Sequence, residues 1–273
     1  MRRHRGIWLT VGVAALVGGV LVQPAGASTG PTPTPAQYTI VTPQRIYDTR
    51  GSSRFTAGET RSVLSGSQYV NISTSGASAL GGIAVHPCSE AADTTRLDVL
   101  AVPDKTMTNL VQVRAGGPYC ITATVATDII IDTVATVDNT GDRFVAASLT
   151  LPDRTIAANS STSVTVAGVG PIPANATGVS VLVQGTGAEE GFLQLYATGT
   201  ARPQNSNVMV NATAFSNVVF THVDGSGSID VYSFSATTVR MTVVGYFVPT
   251  AASPTVPATL TYPNSSKLFS ATP

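Results

Sequence analysis

Charge is scarce in this chain, and what there is cancels. Charged residues make up 11% of the sequence, with 15 basic against 15 acidic. That balance excludes the basic stripe needed to follow a phosphate backbone, and with it nucleic acid as a partner. It equally excludes a polybasic patch for anionic membranes. Cysteine is almost missing. Cys88 and Cys120 stand alone with no CxxC spacing, so a zinc site has no ligand set. No GxSxG elbow, HExxH helix or Walker A loop occurs. No stretch sustains an apolar period of 3.6 residues, which leaves amphipathic helices without a signal. One long apolar run exists, Ile7–Val22, at the very start.

That start reads as an export leader. Arg2, Arg3 and Arg5 precede the apolar run, and Ala25-Gly26-Ala27 supplies the small residues of a cleavage site. A membrane anchor is the rival reading, but the run falls short of the roughly 20 residues that span a bilayer. Cleavage after Ala27 leaves 12 basic against 15 acidic residues and no membrane span in the mature chain. The expected localisation is secreted or extracellular, with cell-wall association open. A hydrophobic share of 43% argues against wholesale disorder.

What the chain does have is a duplication. Residues 69–137 realign on 178–247: GGIAVHPC at Gly81–Cys88 answers to EGFLQLYA at Glu190–Ala197, and ATDIIIDTV at Ala126–Val134 to ATTVRMTVV at Ala236–Val244. An offset of about 110 residues is a domain's length, too long for a solenoid repeat. Within each copy, short Val/Ile/Thr/Phe/Tyr runs alternate with polar residues. Val179, Val181 and Val183 face one way while Ser180, Leu182 and Gln184 face the other. Val239, Met241 and Val243 do the same around Arg240 and Thr242. Period two is the strand signature, and β-branched residues suit a pleated surface. Glycine-rich turns fall at matching points, Gly116-Gly117-Pro118 and Asp224-Gly225-Ser226-Gly227.

The fold class expected is all-β: two tandem antiparallel β-sandwich domains, jelly-roll or immunoglobulin-like, behind a cleaved signal peptide. The divisions are 1–27 signal peptide, 28–37 Pro/Thr spacer, 38–137 first domain, 138–143 linker, 144–249 second domain and 250–273 low-complexity tail. So short a linker lets the domains pack or tilt only modestly. The tail contains LFSATP at Leu268–Pro273, an echo of the run opening copy one, and strand addition by it is an open alternative.

In an exported chain the Cys88, Cys120 pair reads as a disulfide supporting the first copy, since Ala197 and Asp230 take those places in the second. The most structured polar motif is PQRIYDTR at Pro43–Arg50. In a regular strand Arg45 and Tyr47 share one face, and Ile46, Asp48 and Arg50 the other. Asp128 and Asp132 lie on the closing strand of the same copy. A structural ion pair is expected of Arg45 or Arg50 with Asp128 or Asp132, with Asp48 bonding its own turn; an Arg/Asp/Tyr ligand site is the alternative. Copy two replaces both aspartates with Thr238 and Thr242. His86 and His222 read as strand-borne surface histidines. Glu189 and Glu190 diverge and make a poor acid/base pair. Asp138, Asn139 and Asp142 do not match a calcium loop and read as a solvated turn. No catalytic residue, metal or cofactor is assigned. Tyr196, Tyr232 and Phe234 form a candidate ligand platform, Tyr232 and Phe234 on one strand face, with core burial as the competing reading.

At these residues the chain resembles a family of exported repeat domains common in actinobacteria. Those domains open with P-x-R-(L/I)-(L/Y)-D-T-R, carry a YPC-like strand and close with an ATDLIVDVNGYF-like strand. Here the matches are Pro43–Arg50, His86-Pro87-Cys88 and Ala126–Ala135, with the terminal GYF kept in copy two as Gly245-Tyr246-Phe247. The resemblance spans roughly residues 38–248. It implies a β-rich accessory or surface module, found beside cell-wall or polysaccharide-active enzymes and also alone, with no catalytic residues to transfer.

The functional expectation is a non-enzymatic, secreted or cell-surface structural or adhesive protein whose partner is a cell-wall glycan or another surface protein. A carbohydrate-binding module is the first alternative, resting on the three aromatics. A hydrolase is the second, and it needs a pocket gathering Asp, His and Ser.

Overall fold

The computed structural model describes residues 36–250 apart from residue 139. The expected signal peptide, nearly all of the spacer and all of the tail beyond Thr250 lie outside the described residues. Strands and turns account for the regular structure described, and no helix occurs among these residues. The first copy runs β1 Gln37–Asp48, β2 Thr60–Leu64, β3 Gln68–Ser75, β4 Gly81–Pro87, β5 Val99–Ala101, β6 Met107–Val113, β7 Tyr119–Ala123 and β8 Asp128–Asp138. The second runs β9 Asp142–Thr150, β10 Arg154–Ile156, β11 Ser160–Thr165, β12 Gly178–Thr186, β13 Gly191–Ala197, β14 Val208–Val210, β15 Phe215–His222, β16 Ser228–Ser233 and β17 Thr237–Val248.

The two copies share one wiring. Each has a front sheet, ordered β1-β8-β3-β6 in the first and β9-β17-β12-β15 in the second. Each has a back sheet, β2-β7-β4-β5 and β11-β16-β13-β14. All pairings are antiparallel. β10 resumes the role of the opening strand after a break at Leu151–Asp153, pairing with β17.

Alternation decides the two cores. Val179, Val181 and Val183 on β12 and Val239, Met241 and Val243 on β17 are fully buried among Leu193, Leu195, Ile229 and Val231 of the back sheet. In the first copy Ile72, Ile129 and Ile131 meet Ile83, Val99 and Ile121 the same way. Each such side chain contributes about 1.5–3 kcal/mol by leaving water.

The front sheets are not independent. β1 pairs with β9 at Gln37↔Arg143 and Tyr38↔Asp142, which fuses them into one continuous sheet. That sheet folds back on itself. Tyr69 of β3 and Phe220 of β15 are remote along the strand path, yet their rings lie 4.9 Å apart. Tyr38 packs edge-on to Phe247 at 5.6 Å, and Phe220 and Phe144 each reach Phe247 at 5.3 Å. Burial beside Tyr38 pushes the Tyr69 phenol up to about 12. Polar contacts complete the junction: the Leu110 amide donates to Asn217 Oδ1 at 3.0 Å, and His222 Nε2 lies 2.9 Å from the Ile40 carbonyl. His222, an exposed residue of edge strand β15 as expected, thus also bridges the repeats. The residues expected to form a solvated linker belong to β8, β9 and the tight turn between them. Asp138 Oδ1 accepts the amides of Thr140 and Gly141 at 2.8 and 2.9 Å, and Asp142 accepts the Thr177 hydroxyl.

Candidate functional site

A cleft of about 590 Å³ opens between the outward face of the first front sheet and the start of β13 in the second repeat. Its first wall follows from the register of β8. Ile129 and Ile131 point into the first core, so Ile130 and Asp132 point away from it, toward the second repeat. Ser73 of β3, opposite Ile130, joins them.

Arg45 reaches this wall because β1 is irregular. Register shifts fall between Ile40 and Gln44 and between Arg45 and Tyr47. A bulge reverses which face the following residues take. Tyr47 consequently turns inward to Phe55, edge-on at 6.4 Å, while Arg45 and Asp48 meet on the outward side. This corrects the regular-strand expectation that Arg45 and Tyr47 share a face. Arg45 Nε lies 2.6 Å from Asp132 Oδ1, and its Nη1 lies 2.9 Å from Asp48. Its Nη2 also donates to the Gln204 carbonyl of the second repeat at 3.1 Å. Arg50 closes on Asp48 at 2.7 Å, and its hydrogen bonds hold the Asp48 carboxyl down to about 2 against the opposing effect of burial. Asp128 stands apart from this network, accepting the Thr49 hydroxyl at 3.0 Å.

The second wall is built on β13. Leu193 and Leu195 point into the core, so Phe192, Gln194 and Tyr196 form the outward row. Phe192 stacks on Phe234 with centroids 5.1 Å apart and planes at 18°, and Phe234 is 48% exposed. Tyr232 lies opposite Gln194 but is nearly buried; the Arg202 guanidinium sits over its ring at 3.9 Å and its hydroxyl donates to Asn159 at 3.0 Å. Tyr196, half-buried, bonds Ser161 at 3.0 Å and lines a neighbouring groove of about 470 Å³ that meets the cleft at Pro203. The three aromatics singled out from sequence are thus divided: Phe234 presents its ring, Tyr232 is covered, and Tyr196 belongs next door.

Residues 199–207 fold over the outward row of β13. Gln194 Nε2 donates to the Pro203 carbonyl at 2.7 Å and to the Asn205 carbonyl, while Gln194 Oε1 has no protein partner. Asn205 is 5% exposed, lines the cleft, and bonds the protein through neither side-chain atom. A buried amide left unpaired costs about 1–3 kcal/mol per group, and these atoms, sealed from solvent, meet an occupant of the cleft only if their side chains turn toward it. Lys105 of the first repeat pairs with Glu190 at the rim.

Sequence reasoning missed Phe192, Gln194, Arg202 and Asn205. The alternation in FLQLYA carried the signal for the first two. Arg202 and Asn205 come from a loop, where no periodicity reveals which way a side chain points.

Elsewhere, Cys88 and Cys120 form a disulfide joining the residue after β4 to β7, with Cα atoms 4.9 Å apart. The strand registers put Thr198 at the place of Cys88 in the second repeat, one residue on from the Ala197 that the sequence alignment gives, and Thr198 donates to Asp230 at 2.9 Å. Among the described residues no group of three or more His, Cys, Asp or Glu side chains is placed to hold a metal ion. His86 sits between Thr122, at 2.9 Å, and the carbonyls of Pro87 and Glu90.

No family model matches the chain, and no curated protein matches it. Among solved structures, a tandem CBM22-1–CBM22-2 domain from the N-terminus of Xyn10C of Paenibacillus barcinonensis is similar at 13% identity, covering 73% of this chain and 86% of that one. The TM-score is 0.20, and a likeness of that size carries no argument about this chain.

Proposed function

We propose that this chain is an exported, non-catalytic glycan-binding protein of the cell surface, and that a sugar ring lies on the Phe192–Phe234 pair in the cleft between its repeats. The observation carrying this reading is the exposed, stacked Phe234 on a cleft also lined by Asn205, whose amide bonds no protein group, and by Gln194, whose Oε1 has no protein partner. A pyranose offers an apolar C–H face and a polar rim. It needs a flat aromatic surface for the first and in-plane amide groups for the second. The cleft's carboxylates, Asp132 and Glu190, are each held by a cation, which supports binding over acid/base chemistry.

Affinity electrophoresis and calorimetry against purified cell-wall glycans test the proposal. The whole chain binds at least one glycan, and Phe234→Ala weakens it about tenfold or more while leaving the melting temperature in place. Glycan binding indifferent to Phe234→Ala, or no binding to any glycan, defeats the reading.

A purely structural or adhesive role is the second reading, favoured by the single sheet that fuses the repeats into a stiff unit. It predicts mechanical and partner-protein contacts with no glycan retained.

A further inference from the structure

We infer that the glycan taken by this cleft is acidic, a carboxylate-bearing (uronate-type) oligosaccharide whose carboxylate meets Arg202. The inference rests on the glycan-binding reading and adds the charge of the ligand to it. Five charged side chains line the cleft: Arg45, Arg50, Arg202, Asp132 and Glu190. Four are compensated. Asp132 is bound by Arg45, Arg50 by Asp48, and Glu190 by Lys105. Arg202 has no carboxylate partner among the described residues; its contact is the face of Tyr232. The site therefore carries one uncompensated positive charge.

The position of that charge is specific. A guanidinium seated over an aromatic ring keeps its N–H donors at its edge, in the fork geometry that takes a carboxylate through two parallel bonds. The ring beneath is on the outward face of the sheet that carries Phe192 and Gln194, and Phe192 lies 6.2 Å from Tyr232 and 5.1 Å from Phe234. A sugar stacked on Phe234 thus has Arg202 and the Asn205 amide within the same small cleft. Asn205 matters independently of charge. Its amide is sealed from solvent and bonds the protein through neither atom, so it offers a donor and an acceptor to ring hydroxyls only by turning into the cleft that it lines. A neutral glycan would leave the Arg202 charge unused; an acidic one pairs with it.

Matched glycans test this on the whole chain: oligogalacturonate against its methyl ester, and glucuronoxylan oligosaccharides against their carboxyl-reduced forms. Each pair keeps the ring and removes the charge. The expected result is that the acidic member of at least one pair binds about tenfold or more tightly than its neutral partner. The preference shrinks as salt rises, and Arg202→Gln brings the acid-to-neutral ratio close to one. Phe234→Ala, by contrast, weakens acidic and neutral forms together. Equal binding of both members, or a preference that survives Arg202→Gln, overturns the acidic-ligand inference and leaves glycan binding intact. Failure to bind every member of both pairs overturns this inference; if every other purified glycan also fails, the functional reading falls with it.

Discussion

Arg45 and Asp132 meet at 2.6 Å across neighbouring strands of one repeat, while the same arginine donates to the Gln204 backbone of the other. One side chain thereby ties the opening strand to the closing strand and the first repeat to the wall of the cleft. The second repeat makes a comparable tie with the polarity exchanged: Asp153, just before β10, pairs at 3.1 Å with Arg240 of closing strand β17.

Removing one member of the first pair should cost more than removing both. Asp132 is buried and Arg45 is about one-third exposed, so solvent moderates the effect. Arg45→Ala strands a buried carboxylate and is expected to destabilise by about 1–3 kcal/mol. The double change Arg45→Met with Asp132→Leu is expected to cost less than Arg45→Ala. Urea midpoints of the two variants check the order.

Acid should loosen the same network in a defined window. The folded Asp48 carboxyl is held at about 2, below its ordinary 3.8. A depressed carboxylate contributes its stability above the unfolded value and loses it as pH falls through the folded one. Stability from this group therefore drops between about pH 4 and pH 2. Asp48→Asn flattens that part of the stability–pH curve, measured by denaturant titration at each pH.

Breaking the disulfide should weaken one repeat first. The Cys88–Cys120 loop, with a sequence separation of 32, implies roughly 3–4 kcal/mol on the chain-entropy model. Cys88→Ser with Cys120→Ser is expected to lower the melting temperature. Hydrogen exchange should rise mainly in β4 and β7 and much less in β13 and β16.

Two glycines, one at the junction and one in the turn between β15 and β16, should divide sharply. A Cβ on Gly245 would overlap the Phe144 ring, whereas one on Gly225 would meet open space. Gly245→Ala is expected to destabilise by about 1–3 kcal/mol, as an overpacked core does. Gly225→Ala should stay within about 0.5 kcal/mol. Thermal unfolding of the two variants provides the comparison.

Much of the architecture was legible because it is written in side-chain type. Alternation at Val179–Val183 and Val239–Val243 marked strands and their inward faces, since only apolar residues repay burial between two sheets. The site was less legible. Tyr232 lies on β16, but Phe234, expected beside it on the same strand face, falls in the bend just after; both rings reach Phe192, and whether a ring is bare or covered depended on Arg202, which arrives from a loop. The bulge after Arg45 left no composition signal, because it is an event of backbone hydrogen bonding.

By itself, then, the sequence determined an all-sheet chain built twice on one plan, for burial of alternate residues is a local pattern that any window of the chain displays. Tertiary structure alone decided that β1 and β9 pair, that the joined sheet folds back around Tyr38 and Phe247, and that a cleft forms between the first front sheet and β13. Edge pairing runs through amides and carbonyls that every residue carries, so no residue type announces it.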